Sequence, residues 1–330
     1  MTRYASGVSR IVAFVIATLA LAGVAWVVSV SVEQVGRRAG PAVTGVMQAS
    51  LANLPEFFVV IFALQAGHRV IAETAILGSI LVNALLVLGM VIIAGAARAS
   101  DGIMRFNPRL PNDTATLLLV SSFIIVLIGL TRSSGDLASR HSETISIIGA
   151  GVILAVYGTW LRQYLTSKSI VQEASEPPRL SLTTSVVLLT VGGVASAFVS
   201  DWFVNALEPT IDQLGISQAF AGLVIVSIAG NAVEHTAGIV LAAKGQAELA
   251  ISVVKNSMSQ IAAFLYPLLV LVSLLTATRL TFTLAPVYIG ALIGTAVIVW
   301  QITGDGEATV FEGTALMATF VILATVAAFE

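Results

Sequence analysis

Two stretches of the chain decide its fold: SLANLPEFFVVIFALQAGHRVIAETAILGSILVN, residues 50–83, and IAGNAVEHTAGIVLAAKGQAELAISVVKNSMSQI, residues 228–261. Polar and glycine identities recur between them in a single register of 178 residues, the difference between 231 and 53, without a gap. Because such identities inside apolar helices are hard to obtain by chance, the sequence predicts an internal repeat. The matched pairs are Asn53 with Asn231, Glu56 with Glu234, Gly67 with Gly245, and Ser79 with Ser257.

The composition around these stretches is that of a membrane protein. The 330 residues are 57% hydrophobic and only 10% charged, whereas ordinary soluble chains carry roughly 25% charged residues. A helix that spans a bilayer needs about 20 apolar residues, so the sequence predicts an all-α membrane protein with about ten transmembrane helices. The predicted spans are 11–31, 41–65, 70–97, 115–131, 143–165, 181–204, 216–243, 248–275, 281–300 and 308–328.

The repeat and the spans together predict how the chain is organised. Five predicted spans separate equivalent points of the two copies, and an odd number turns the second copy upside down in the membrane. We therefore expect two inverted five-helix repeats with a substrate site near the bilayer midplane. The first half is predicted at 1–165 and the second at 181–330. A polar linker at 166–180, which contains Pro177 and Pro178, joins them.

The basic residues predict an orientation. Alternate connections carry unequal numbers of Lys and Arg, and by the positive-inside rule the richer side, which includes the central loop, is cytoplasmic. The abundant Ala and Val and the lack of Cys are typical of a protein of the bacterial inner (plasma) membrane, with an organelle membrane as the alternative. The richer side carries Arg37, Arg38, Arg98, Arg105, Arg109, Arg162, Lys168, Arg179 and Lys244.

Several classes of function find no support in the composition. A net charge of −2 without a basic stripe gives no electrostatic basis for binding nucleic acid. The absence of cysteine excludes thiol nucleophiles and cysteine metal sites. The three histidines, His68, His141 and His235, form no H-E-x-x-H zinc pattern. We therefore expect neither an enzyme nor a bound cofactor, and the sequence does not indicate an oligomeric state.

Two glutamates are the leading candidates for function. Glu56 and Glu234 lie well inside their predicted spans, where a carboxylate is costly and by default marks a functional site that faces a cavity. Asn53 precedes Glu56 by three residues, so both side chains face the same side of a helix. Asn231 stands in the same relation to Glu234.

Further oxygen-bearing side chains follow on the next spans. Ser79 and Asn83 share a helix face by their i,i+4 spacing, and Ser257 and Gln260 nearly share one by their i,i+3 spacing. With the glutamates and the two earlier asparagines they form an all-oxygen set, which hard cations such as Ca²⁺ prefer. The lack of thiols and of a histidine cluster disfavours softer metals. The alternatives are that the serines only allow close helix packing and that the amides only bond neighbouring helices.

The paired glutamates also suggest a coupling mechanism. A carboxyl group in a low-dielectric site tends to hold a proton when no cation is bound. A divalent cation and protons then compete for Glu56 and Glu234, and this competition combined with alternating access gives antiport. His235, next to Glu234, is either a hydrogen-bonded packing residue or a proton relay.

The motifs resemble those of a known family. Gly230–His235, followed by Ser257 and Gln260, is similar to the second alpha repeat of the cation/proton exchangers in the calcium/cation antiporter superfamily. The segment 77–81 with Asn83 and the run LLVLG at 85–89 resemble the end of the first repeat. The resemblance covers nearly the whole chain and implies proton-coupled export of Ca²⁺ or a related cation. It also implies a site of Glu56 and Glu234 as cation ligands and proton acceptors, supported by Asn53, Asn231, Ser79, Ser257, Asn83 and Gln260.

Three residues depart from that pattern and leave alternatives open. Pro55 before Glu56 resembles the sodium/calcium exchanger branch, so a Na⁺-coupled or Na⁺/H⁺ exchanger is one alternative. Lys255 would oppose cation binding if it faced the site, and a non-transporting scaffold or sensor in which it replaces the cation is another. Its position two residues before Ser257, about 200° around a helix, predicts that it points away from the site. Asn256 stands where the second repeat normally has Gly, and its role stays open.

Overall fold

The computed structural model describes residues 9–39, 47, 51–166 and 178–330. Almost all of these residues are helical, because a chain inside a bilayer must satisfy its backbone polar groups internally and a helix does so within one segment. The helices are α1 (Arg10–Ala39), α2 (Leu54–Gln65), α3 (Arg69–Arg98), α4 (Arg109–Ser133), α5 (Ser142–Thr166), α6 (Leu182–Leu214), α7 (Gln218–Gly230), α8 (Ala232–Ala243), α9 (Ala247–Leu275), α10 (Pro286–Thr303) and α11 (Val310–Ala328).

The predicted spans correspond to these helices. Within the described residues, eight helices are long and apolar enough to cross a membrane, and α7 with α8 makes a ninth that is bent by 64°. The predicted span 216–243 therefore corresponds to this bent pair, which is broken at Asn231. Helix α6 continues to Leu214, beyond the predicted end at 204. The predicted span 41–65 is observed only as α2 in its second part, since 41–46 and 48–50 lie outside the described residues.

Three of the helices contain a π-helical turn, in which the backbone hydrogen bonds widen locally. The turns lie at Val82–Val87 in α3, Ala221–Val226 in α7 and Ile261–Leu265 in α9. Such turns are rare and frequently occur at functional sites. Those of α3 and α9 directly follow the segments that carry Ser79 and Ser257.

The 178-residue register recurs in the helix boundaries. Helices α2 and α8 both have 12 residues, and they begin and end at equivalent positions. Each is followed by a turn with a glycine at positive φ, 84° at Gly67 and 82° at Gly245, a conformation that glycine adopts without the steric cost of a Cβ.

The two equivalent turns lie at opposite ends of one helix. Helix α3 begins two residues after Gly67, at Arg69, and ends at Arg98. The Arg98 side chain packs against Gly245, and its Nη1 donates to the carbonyl of Ala243 at 3.4 Å. A helix of 30 residues is about 45 Å long, so the whole length of α3 separates the two turns.

Close helix packing positions the centre of the molecule. Gly78 of α3 faces the π-helical turn of α7, and a Cβ on Gly78 would lie 2.6 Å from the Cα of Leu223. Gly222 of that turn packs equally closely on α3, since its Cβ would lie 2.8 Å from the carbonyl oxygen of Ile71. Small residues at such crossings let two backbones approach within a membrane.

The connections at one end of the bundle are tied together. Strands β1 (Ile103–Arg105) and β2 (Glu307–Thr309) pair in antiparallel fashion and join the α3–α4 connection to the α10–α11 connection. Of the predicted linker 166–180, residues 167–177 lie outside the described part. Its last residues contact α1, where Gln34 Oε1 accepts from the backbone N–H groups of Arg179 at 2.7 Å and Leu180 at 3.2 Å.

Candidate cation site

A break in a helix positions Glu234. Asn231 separates α7 from α8 with a non-helical backbone, φ −112° and ψ 14°. Its Nδ2 donates to the carbonyl of Ser227 at 3.2 Å, which satisfies an acceptor at the end of α7. Glu234 therefore lies in the first turn of α8, where the positive end of the helix dipole favours a carboxylate.

Glu56 occupies the equivalent position in the first copy. It lies in the first turn of α2, which follows Asn53 and has Pro55 at its start. Proline fits there because the first helical N–H groups have no intrahelical partner. Asn53 is buried, one turn before Glu56.

The Glu56 carboxylate is buried beside polar groups of the second copy and of α3. The residue is 3% exposed, and no described group forms a hydrogen bond of good geometry with Oε1 or Oε2. Ser79 and Asn231 lie beside it, and Glu234 is close enough to repel it. Gly230 leaves room for this arrangement, since even a Cβ there would be 4.0 Å from the Glu56 Cβ.

Glu234 has a different environment. It is half-buried, and its Oε2 accepts a short hydrogen bond from the hydroxyl of Ser257 on α9. Of the two carboxylates, the one in the second copy is therefore the more exposed and the better bonded.

Two hydrogen bonds connect the copies across the site. The amide Nδ2 of Asn231 donates to Oγ of Ser79 at 3.0 Å, and Nδ2 of Asn83 donates to Oγ of Ser257 at 3.3 Å. The Asn83 amide also donates to the carbonyl of Ser79 at 2.9 Å. In both asparagines the amide nitrogen is thus engaged by a protein oxygen.

Three oxygen atoms beside these hydrogen bonds remain as possible ligands. Asn83 Oδ1, like both Glu56 oxygens, is buried and lacks a hydrogen-bond partner in the described part of the chain. A buried acceptor without a partner is costly. A bound cation or a proton would interact with these three oxygens and remove that cost. The described residues contain no group of three or more His, Cys, Asp or Glu side chains that could hold a metal. A cation here would therefore need neutral oxygens beside the two carboxylates.

The other predicted residues lie further from this centre. Gln260 is half-buried at the end of the α-helical part of α9, and no hydrogen bond found among the described residues joins it to the carboxylates. Ile261, a buried apolar residue, occupies the position equivalent to Asn83. His235 is buried, and its Nε2 has no partner within the described residues. Lys255 is buried on another side of α9, where its Nζ donates to Oγ1 of Thr303 at 2.5 Å.

One residue of the site was missed by the sequence reasoning. Ser227 is buried in α7, and its hydroxyl lies 3.0 Å from the carbonyls of Ala75 in α3 and Gly222 in its own helix. Its own carbonyl holds the Asn231 amide. The signal was available, because Ser227 lies four residues before Asn231 and is a hydroxyl inside an apolar span.

Comparison with known proteins gives matches over most of the chain. The model of the family "sodium/calcium exchanger protein" matches residues 9–162 and 184–329. A vacuolar calcium ion transporter of Schizosaccharomyces pombe is 32% identical over 321 residues, which cover 94% of this chain and 77% of that protein. A Ca²⁺/H⁺ antiporter, ChaA, of Bacillus subtilis is 29% identical, with 87% of this chain and 83% of that protein covered.

Solved structures show a similar fold. The structure of native YfkE superimposes with a TM-score of 0.80 at 24% identity, over 96% of this chain and 92% of that one. The H⁺/Ca²⁺ exchanger CAX gives a TM-score of 0.76 at 14% identity, over 99% and 88%. The fold is therefore that of membrane-embedded exchangers.

Proposed function

The chain belongs to the sodium/calcium exchanger protein family, and we propose that it exchanges Ca²⁺ for protons across a membrane by alternating access. The observation that carries the proposal is a set of three buried oxygens, two on Glu56 and one on Asn83, which have no hydrogen bond of good geometry from the described residues and lie beside the second carboxylate, that of Glu234. Ca²⁺ takes six to eight oxygen ligands and accepts flexible geometry, so it suits a site of mixed carboxylate, amide and hydroxyl oxygens.

Glu56 and Glu234 are the central ligands and the proton acceptors in this proposal. Two carboxylates so close in a buried site repel each other and cannot both remain ionised without compensation. Either a divalent cation or protons supply that compensation. Since one occupant must leave before the other binds, the site exchanges them.

The remaining candidates support these two carboxylates. Asn83 and Asn231 contribute their carbonyl oxygens while their amide nitrogens are fixed by protein acceptors. Ser79 and Ser257 receive those amides and set the spacing between the copies. Asn53 stands one turn before Glu56 and completes the set on the side of the first copy. Gln260, one turn beyond Ser257, is a supporting oxygen outside the innermost set, and His235 modulates Glu234 as its neighbour in sequence.

We place the site at the interface of two inverted repeats, with halves at 1–165 and 181–330 joined by the loop 166–180, in a bundle of ten spans. The opposite positions of the turns at Gly67 and Gly245 along α3 support the inversion. The two hydrogen bonds between copies support the placement of the site at their interface. Relatives of this kind include vacuolar and bacterial proteins, and we propose the bacterial plasma membrane for this chain.

The position of Lys255 disfavours a scaffold in which this residue replaces the cation. Its ammonium group reaches Thr303 at the end of α10, whereas Ser257, two residues later, faces Glu234. The two side chains thus leave α9 on different sides, as the helical angle of about 200° predicts.

The proposal is tested by ⁴⁵Ca²⁺ uptake into proteoliposomes under an imposed pH gradient. Wild-type protein is expected to take up Ca²⁺ only with the gradient, and Glu56→Gln and Glu234→Gln are expected to reduce uptake to the level of empty vesicles. The matched control is Glu248→Gln. Glu248 also lies in the first turn of a helix, α9, but it is exposed, so this variant should transport normally.

Two outcomes would overturn the proposal. Uptake that is unchanged in both glutamate variants would show that these carboxylates do not carry the cation. Uptake that follows a Na⁺ gradient and ignores the pH gradient would instead assign the chain to Na⁺-coupled exchange.

A further inference from the structure

Lys255 is an intramembrane cation that the exchange mechanism does not use. It is 1% exposed, and an ionisable residue inside a membrane span is costly and by default functional. The equivalent residue of the first copy is Leu77, which is fully buried and apolar. An apolar side chain is thus sufficient at this position of the repeat, and the lysine belongs to the second copy alone.

The ammonium group of Lys255 is held at the end of α10. Its Nζ donates to Oγ1 of Thr303 at 2.5 Å, and that hydroxyl in turn donates to the carbonyl of Val299 at 2.7 Å. Thr303 is the last residue of α10, where the carbonyl groups at the negative end of the helix dipole favour a nearby cation. The Thr303 hydroxyl is therefore oriented to accept from the lysine.

The same segment of α9 makes further hydrogen bonds to neighbouring helices. Ser257 donates to Glu234 on α8 and accepts from Asn83 on α3. Ser259 donates to the carbonyl of Thr114 on α4 at 2.9 Å. Three residues at alternate positions of one helical turn thus bond to different neighbours, and together they determine how α9 is rotated about its axis.

We propose that Lys255 is a positioning residue: through Thr303 it fixes the rotation of α9 that aims the Ser257 hydroxyl at Glu234. The inference rests on the proposed exchange function, because its effect is exerted on the cation site. Lys255 does not contact the cation, and its Nζ serves as the hydrogen-bond donor to the Thr303 hydroxyl. Without that bond α9 can rotate, and Ser257 then leaves the geometry in which it supports the site.

The test compares Thr303→Val with Thr303→Ser in ⁴⁵Ca²⁺ uptake by proteoliposomes driven by a pH gradient. Thr303→Ser keeps the hydroxyl and is expected to behave like the wild type. Thr303→Val lacks it and should raise the KM for Ca²⁺ about tenfold, the scale of one hydrogen bond to a charged group, with little change in maximal rate. Thr295→Val serves as a control, since it removes another buried hydroxyl from α10 and should leave KM unchanged.

A second variant tests whether the two residues act as a unit. Lys255→Met preserves the length of the side chain and should raise KM as much as Thr303→Val does. Adding Thr303→Val to Lys255→Met should raise KM no further, because the hydrogen bond between the two residues is already absent in Lys255→Met. Additive effects, or a Thr303→Val protein that matches Thr303→Ser, would overturn the inference even if Lys255→Met fails to fold.

A readout independent of transport separates this inference from the proposed function. The chain has no cysteine, so spin labels can be attached at Leu249→Cys on α9 and Trp300→Cys on α10, both exposed positions. The distance distribution between the labels should broaden with Thr303→Val and stay narrow with Thr303→Ser. Wild-type protein that does not take up Ca²⁺ would refute the proposed function, whereas equal distributions in the two variants would refute the positioning role alone.

Discussion

The two halves of the cation site differ although the sequence repeats them. In the second copy, Glu234 is half-buried and accepts a hydrogen bond from Ser257. In the first copy, Glu56 is almost fully buried, and both of its oxygens lack partners among the described residues. The same residue types thus form two carboxylates with different surroundings, and in the proposed function the ion chiefly satisfies Glu56.

The difference extends to the residues around the carboxylates. Asn83 of the first copy lies in the site, but its equivalent Ile261 is apolar and buried. Conversely, Leu77 and Gly78 are replaced by Lys255 and Asn256 in the second copy. The repeat therefore provides the scaffold and the two glutamates, and the proposed function assigns cation binding mainly to the first half and support of the site to the second.

The largest effect is expected for Glu56→Gln. This change removes the charge from the more deeply buried of the two carboxylates, so Ca²⁺ uptake should fall by about 100-fold or more, the scale on which removing one partner of a buried charge pair acts. The initial rate of ⁴⁵Ca²⁺ uptake at a fixed pH gradient measures it. A Glu56→Gln protein that transports better than Glu234→Gln would contradict the assignment of Glu56 as the inner ligand.

Gly78 and Asn256 are equivalent positions of the two copies, and giving each the other's residue should change the stability of the fold to different extents. Gly78→Asn puts a side chain where even a Cβ would lie 2.6 Å from the Cα of Leu223, and overpacking of this kind costs about 1–3 kcal/mol or more. The reverse change, Asn256→Gly, removes a side-chain oxygen that is buried without a partner and should stay within about 1 kcal/mol of the wild type.

The melting temperature of the purified protein in detergent measures both changes, with Gly23→Ala as the control. Gly23 lies in α1 with nothing within 4 Å of an added Cβ, so alanine there should not lower the melting temperature. A stable Gly78→Asn protein would show that α3 and α7 pack less closely than described.

The serines allow a finer comparison of the halves. Ser257→Ala removes a hydrogen bond to a carboxylate, which is worth about 1.5–3 kcal/mol, whereas Ser79→Ala removes a neutral acceptor for Asn231, worth about 0.5–1.5 kcal/mol. The KM for Ca²⁺ should therefore rise more in Ser257→Ala, by about tenfold or more, than in Ser79→Ala. Equal effects would mean that the two halves are functionally symmetric.

The helices and the glutamate pair were predictable from the sequence, but their contacts were not. Long apolar runs must form helices in a bilayer, and the fixed register identified Glu56 and Glu234. The break at Asn231 could not be predicted, because the apolar run continues through it. Gln260 lies with Ser257 in the α-helical part of α9, yet only Ser257 forms a hydrogen bond with a carboxylate among the described residues, and the role of Gln260 stays a prediction. Lys255 and Ser257 leave α9 on different sides, one toward Thr303 and the other toward Glu234, as the angle between them on an ideal helix predicts.

The smallest effect is expected far from the site, in the ribbon of β1 and β2. The guanidinium of Arg105 donates to Asp101 at 2.7 Å and, with the N–H of Ile103, lowers the pKa of that exposed carboxyl. Ionised Asp101 thus contributes stability that is lost as the pH falls through its lowered pKa. Arg105→Ala should lower the melting temperature slightly at neutral pH, and the difference from wild type should shrink and vanish as the pH falls through the lowered pKa of Asp101. If the difference in melting temperature instead grows as the pH falls, the ion pair of Arg105 and Asp101 does not stabilise the fold in the way described.

The central claim is that Ca²⁺ and protons occupy the same two carboxylates in turn. It is tested most directly by titrating the detergent-purified protein with Ca²⁺ in a weakly buffered solution and recording proton release with a pH indicator. Wild-type protein is expected to release protons as Ca²⁺ binds, each single variant, Glu56→Gln or Glu234→Gln, to release fewer, and the double variant to release none. Proton release that persists undiminished in the double variant, or Ca²⁺ binding to wild type without any release, would contradict the account.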